Sequence, residues 1–125
     1  GRLELFGDQL YLDGAHNPHA MLRLIEFANS LAGKRVKILF GALKRKDYSG
    51  MLETLQTGLP EAELILTTFH YGEVVAQGDR QDLPYVADYK AYIKEFMDQS
   101  RPDEVLFVTG SLYFIAEVRA FLLEG

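Results

Sequence analysis

The sequence has no cysteine among its 125 residues, so disulfides and thiolate metal sites are both excluded. That composition fits the cytoplasm. No apolar run approaches the ~20 residues that span a bilayer, and no signal-peptide pattern opens the chain, so no membrane partner is expected. Positive charge is short as well. Lys and Arg number 13 against 18 Asp and Glu, a net charge of −5 that argues against nucleic-acid binding. The one basic cluster, LKRKD at 43–47, is local. Several catalytic signatures are missing: there is no GxGxxG after a strand, no GxxxxGK[ST] P-loop, and no GxSxG elbow. A receiver domain needs an acidic pair after its first strand, and here Asp13 is followed by Gly14.

What remains is the balance of a soluble globular domain, 48% hydrophobic and 25% charged, with no repeat or low-complexity tract. The chain opens GRLELF, without an initiator methionine, and enters a strand-like pattern almost at once. That start predicts a domain cut from a longer protein, although a processed or engineered start reads the same way.

Alternation through Leu3–Phe6 and Gln9–Leu12, with Gly7-Asp8 between, predicts a hairpin or two neighbouring strands. A helix of about 14 residues follows. Asn17 caps it, Pro18 takes its first position, Gly33 follows its end, and Met21, Leu24, Ile25, Ala28 and Leu31 form its buried stripe. VKILF at 36–40 is a continuous apolar strand, and a second helix capped by Asp47 runs to Gly58-Leu59-Pro60. ELILT at 63–67 is the next strand, and 68–82 reads as a long loop. ADYKAYIKEFMDQ at 87–99 is a third helix, EVLFVT at 104–109 a strand, and LYFIAEVRAFLL at 112–123 the last helix. The runs VKILF, LILT and VLFV are too uniformly apolar for a sheet with one wet face. They predict one α/β domain over 1–125, a three-layer Rossmann-like, mostly parallel sheet with helices on both faces.

Open parallel sheets bind ligands beyond the carboxyl ends of their strands. Four exits carry polar residues here: Asp13, Gly14 and His16; Gly41, Lys44, Lys46 and Asp47; Thr67, Thr68 and His70; Thr109, Gly110 and Ser111. Gly14, Asn17 and Pro18 are explained as turn, cap and first helical residue, whereas Asp13 and His16 are not needed for capping. His16 and His19 lie three apart, but the helix begins between them and no third metal ligand is evident. Lys44, Arg45 and Lys46 suit phosphates or simply a solvated face. Ser111 stands where a strand turns into a helix, either as an anion site or as a plain cap. His70 and Tyr71 fall in the aperiodic loop, and Phe114 and Phe121 read as core.

The motifs LDGAHNPHA at 12–20, FGALKRKD at 40–47 and TGSLYFIAEVR at 109–119, with GR at 1–2, resemble the C-terminal domain of folylpolyglutamate synthase and dihydrofolate synthase. That family belongs to the Mur-ligase-like ATP-dependent amide ligases. The resemblance implies a reaction in which ATP phosphorylates the γ-carboxylate of a folate and L-glutamate attacks the acyl phosphate. It implies that Arg2 and Asp13 contact ATP, that the catalytic His16 faces the reaction centre, and that Ser111 lies on the glutamate side; Lys46, at its strand exit, is a phosphate or cleft contact on charge and position alone. It also implies an N-terminal P-loop domain of the same protein as partner, holding the Mg2+ ligands, and a monomer. The chain departs from the family pattern at Arg45, where an acidic residue is expected, and in TFHYGEVVAQGDR at 68–80, which lacks an Arg-Ala pair. Having no P-loop, the chain alone is expected to be inactive. Two other readings compete: a stand-alone nucleotide- or amino-acid-binding module, and the C-terminal domain of a Mur-type ligase acting on a cell-wall precursor.

Overall fold

Gly7, at φ 69°, turns the chain back between Leu3–Phe6 (β1) and Leu10–Asp13 (β2), which pair antiparallel in the computed structural model; it describes residues 3–124. Asn17 Oδ1 then accepts the Ala20 N–H at 2.8 Å, and Pro18 opens α1, Pro18–Asn29, where its missing N–H is not needed. This helix has 12 residues, shorter than its pattern predicts. The Ser30 hydroxyl and N–H both donate to the Phe27 carbonyl, at 2.6 and 3.0 Å, and turn the chain before Leu31 can join the stripe. Leu31 is left half-buried beyond the helix.

The remaining elements follow in alternation: β3 (Arg35–Phe40), α2 (Tyr48–Gly58), β4 (Glu63–Thr67), β5 (Tyr85–Val86), α3 (Tyr89–Gln99), β6 (Glu104–Thr109) and α4 (Leu112–Glu124). Asp47 and Asp88 cap α2 and α3 through the N–H groups of Gly50 and Ala91, at 3.0 and 3.1 Å. The sheet order is β1-β2-β6-β3-β4-β5, and every neighbouring pair except β1 and β2 is parallel. Helices cover both faces, as the apolar runs require. Val105 and Phe107 of β6 join Ile38, Phe40, Leu64 and Leu66 under α1 and α2, while Leu106 and Val108 join Leu10, Leu12, Leu39 and Ile65 under α3 and α4. Each fully buried Phe or Leu in these layers contributes roughly 1.5–3 kcal/mol of burial free energy. Phe114 is wholly buried and Phe121 packs half-buried beside it, both as core residues.

The segment 68–82 is more ordered than a long loop. Val74 bridges Leu43, Val75 N–H donates to Ala42 O at 2.8 Å, and Lys44 N–H to Glu73 O at 2.9 Å. A 3₁₀ turn at Gln77–Asp79 follows, and then β5 closes the sheet edge beside β4. With two residues, β5 is too short to show a period in the sequence.

Candidate site at the carboxyl edge of the sheet

Five parallel strands deliver their last residues to one edge, and β2, β6 and β3 stand next to one another there. Asp13 ends β2 in register with Thr109, the last residue of β6, and Thr109 is in register with Phe40 of β3. This pairing brings the Asp13–His16 turn and the Gly110-Ser111 turn together from opposite ends of the chain.

Asp13 is only 4% exposed. Its Oδ1 accepts the Ala15 N–H at 3.2 Å, and no cationic side chain forms an ion pair with it among the described residues. Burial pushes this carboxyl above the ordinary carboxylate value, against the opposing pull of the Ala15 N–H and the Arg23 charge. Three residues on, His16 Nδ1 lies 3.1 Å from the Gly14 carbonyl. A carbonyl only accepts, so this contact assigns the proton to Nδ1 and leaves the Nε2 lone pair free in the neutral ring.

Ser111 is 3% exposed, and its Oγ accepts the Tyr113 N–H at 3.1 Å at the start of α4. The cap reading is therefore correct, and it leaves the hydroxyl proton available to another acceptor. Two glycines set the spacing of the loops. Gly110 has φ 121°, and a Cβ there would stand 2.3 Å from Gly41 O; Gly41 N–H donates to Thr109 O at 3.1 Å. A Cβ on Gly41 would in turn meet the Phe114 ring at 2.9 Å. Backbone thus presses on backbone where β3 and β6 leave the sheet.

The basic loop divides. Lys44 Nζ pairs with Asp79 at 3.7 Å, across the stitched segment, so it is tied to its own rim. Arg45 is exposed and Lys46 half-exposed, the latter with no ion pair among the described residues. Arg2 lies outside the described residues. His70 and His19 do not join Asp13 and His16 in a ligand set: among the described residues no three His, Asp or Glu side chains are grouped to hold a metal. His70, whose ring is 91% exposed, is bound instead to Glu117, with its N–H on Oε1 at 3.1 Å and Nδ1 3.3 Å from Oε2. The Tyr89 hydroxyl donates to the same Oε2 at 2.8 Å. Burial works to raise the Glu117 carboxyl, but these hydrogen bonds outweigh it and hold the group below its ordinary value.

Three contacts at this edge were not legible in the sequence. Arg23 of α1 faces Asp13 along a cleft of about 870 Å³, also lined by Leu3, Glu26, Phe27 and Ser30. The cleft runs down the flank of α1 and meets the site only at Asp13. Tyr71 stacks on Tyr113 at 3.9 Å between ring centroids, two residues from Ser111. Glu117 anchors His70. Arg23 sits on a helix face that periodicity marks as exposed, and the other two depend on contacts across more than 40 residues. Chemically, the edge offers a buried carboxyl, an imidazole with a free lone pair and a hydroxyl at a helix start.

The chain resembles known proteins over nearly all of its length. Residues 1–112 match the family described as Mur ligase, glutamate ligase domain. A dihydrofolate synthase/folylpolyglutamate synthase of Bacillus subtilis is 32% identical over 95% of this chain and 29% of its own length. A folylpolyglutamate synthase of Lacticaseibacillus casei is 29% identical over 99% of this chain and 30% of its own. Among solved structures, a bifunctional folylpolyglutamate synthase/dihydrofolate synthase from Yersinia pestis, complexed with AMPPNP and a Mn ion, superposes with a TM-score of 0.83. It is 25% identical, with 98% of this chain and 31% of that one covered. The chain therefore spans about three tenths of the length of the relatives it matches. On the match over residues 1–112, the chain belongs to the Mur ligase, glutamate ligase domain family.

Proposed function

We propose that this chain is the ATP-facing C-terminal domain of a folylpolyglutamate synthase, an ATP-dependent ligase that joins L-glutamate to a folate and, like the Bacillus subtilis relative, also acts as a dihydrofolate synthase. The observation that carries the reading is the register of Asp13 with Thr109, which sets Asp13, His16 and Ser111 on one edge in a chain of this family.

A free carboxylate is a poor acyl donor, so the reaction begins by activating it. An oxygen of the folate γ-carboxylate attacks the γ-phosphorus of ATP, the bond to the bridging oxygen breaks, and ADP leaves. The amino nitrogen of glutamate then attacks the acyl carbon and inorganic phosphate departs as the amide forms. The nitrogen must lose protons to do so, and His16 Nε2 is the base at hand. Asp13, an acceptor with an oxygen beyond its bond to Ala15, takes hydrogen bonds from nucleotide hydroxyls, where a second phosphate-like charge would be repelled. Arg2 and Lys46 meet the phosphates, and Ser111 holds the glutamate side. Among the described residues no three His, Asp or Glu side chains are grouped to hold a metal ion. In this reading the ligands for Mg2+ belong to an N-terminal P-loop domain, and the Mn and AMPPNP of the Yersinia pestis relative support nucleotide and metal use by such a protein. In this reading the protein is a monomer of the cytoplasm.

The test is ADP release by the full-length protein carrying this domain. Release that depends on both a folate and L-glutamate supports the ligase. Nucleotide or amino-acid binding without turnover favours the stand-alone module, and turnover with a UDP-linked cell-wall precursor instead of folate favours the Mur-type ligase.

A further inference from the structure

Thr109 is a polar side chain at the carboxyl edge for which the ligation reaction has no assigned use. It ends β6 and is 0% exposed, and its Oγ1 is a buried side-chain oxygen with no hydrogen-bond partner among the described residues. Buried hydroxyls are nearly always bonded, because the bonds they give up to water must be replaced. Thr67, in the equivalent place at the end of β4, obeys that rule: it is equally buried, and its hydroxyl donates to Val86 O at 2.7 Å. At Thr109 a valine would fill the same space, suit a strand at least as well and carry no polar atom. Val105, Leu106, Phe107 and Val108 before it are all apolar. The fold therefore gives no reason for the hydroxyl.

Its surroundings point to one. Register partners in a parallel sheet project from the same face, with strands about 4.8 Å apart. On that face Thr109 lies between Phe40, which offers no acceptor, and Asp13, whose carboxylate holds a bond only to Ala15 N–H among the described residues. The cleft that meets Asp13 is lined by two charged side chains of α1, Arg23 and Glu26, and the Arg23 charge pulls the carboxyl down. A buried neutral donor can orient the carboxylate without changing that balance of charge.

We propose that Thr109 is a positioning residue for Asp13: when the nucleotide is engaged, a turn about its χ1 brings the hydroxyl onto the Asp13 carboxylate and fixes the oxygen that faces the ligand. This rests on the reading of the chain as the nucleotide-facing domain of a ligase. The experiment compares Thr109→Val and Thr109→Ser in the full-length protein by folate- and glutamate-dependent ADP release. Thr109→Val is expected to raise KM for ATP about tenfold, the loss of one hydrogen bond to a charged group, with kcat nearly unchanged. Its unfolding midpoint should equal or exceed that of the wild type. Thr109→Ser should restore KM to within about twofold, and the Val effect should vanish on an Asp13→Asn background. Wild-type kinetics in Thr109→Val, equal impairment of the Val and Ser variants, or an undiminished effect on the Asp13→Asn background would each overturn the proposal alone. Absence of ADP release from the wild-type protein would overturn the ligase reading and this proposal with it.

Discussion

At the amino-terminal edge of the sheet the polar side chains answer one another. Lys37 lies 3.6 Å from Glu104 and 3.9 Å from Glu63, with its ammonium above the Phe96 ring. Gln9 Nε2 donates to the Glu104 carbonyl at 2.7 Å, and Lys34 Nζ to the Pro102 carbonyl at 3.0 Å. Glu104 also accepts the Arg101 N–H at 2.8 Å, and that bond together with the Lys37 charge keeps its carboxyl low in spite of some burial. At the carboxyl edge of the same strands, among the described residues, Asp13 is buried without an ion pair, Thr109 keeps an unused hydroxyl, and His16 Nε2 has no hydrogen-bond partner. One end of the sheet satisfies its own polar groups. The other leaves Asp13, His16 and Thr109 with bonding capacity unused among the described residues, which in the proposed function a bound ligand takes up. On that proposal, the difference separates residues that keep the fold from residues kept for chemistry, within a single sheet.

Breaking the backbone frame of the carboxyl edge should have the largest effect. Gly110→Ala places a Cβ against Gly41 O in a backbone conformation that suits glycine, and is expected to cost on the order of 3 kcal/mol or more. That is a large share of a domain's usual stability of about 5–15 kcal/mol, and a urea titration would show it. The frame, unlike the side chains it carries, is required for folding. Next comes His16→Gln, which keeps a donor for Gly14 O but removes the base. In the full-length protein kcat should fall about 10²- to 10³-fold with KM for ATP near the wild-type value, and the unfolding midpoint should barely move. A shifted midpoint with unchanged kcat would erase the distinction between the edges at that residue. Smallest is Lys37→Met at the amino edge, expected to lower stability by less than about 1 kcal/mol and to leave ADP release untouched.

The sequence patterns carried most of this architecture because apolar runs and helix caps are local properties. VKILF, ELILT and EVLFVT are strands in the structure, and Asn17 and Asp47 cap their helices. Their ends were less legible. Ser30 stops α1 through a side-chain hydrogen bond that competes with the helical pattern, and β5 is held by its neighbour β4 rather than by its own residues. At the site, Asp13, His16 and Ser111 stood out because strand exits gather at one edge of any parallel sheet. Thr109 stood among them as a strand exit only, since an unpartnered hydroxyl is a property of the packed structure. The bonds of Glu117 to His70 and Tyr89 likewise join residues far apart in the chain, and no local pattern announces them.

The most direct test of the contrast between the two edges is Asp13→Asn, measured for stability and for activity together. A carboxyl whose value is raised by folding contributes stability below its ordinary titration range and loses that contribution as pH rises through the raised value. The Asn variant should therefore be the more stable chain at pH 7, with its advantage shrinking toward pH 4, while kcat/KM for ATP in the full-length protein falls by about 10²-fold. An Asn variant that is less stable at pH 7, with kcat/KM unchanged, would contradict this: Asp13 would then hold the fold together, as the residues of the amino edge do.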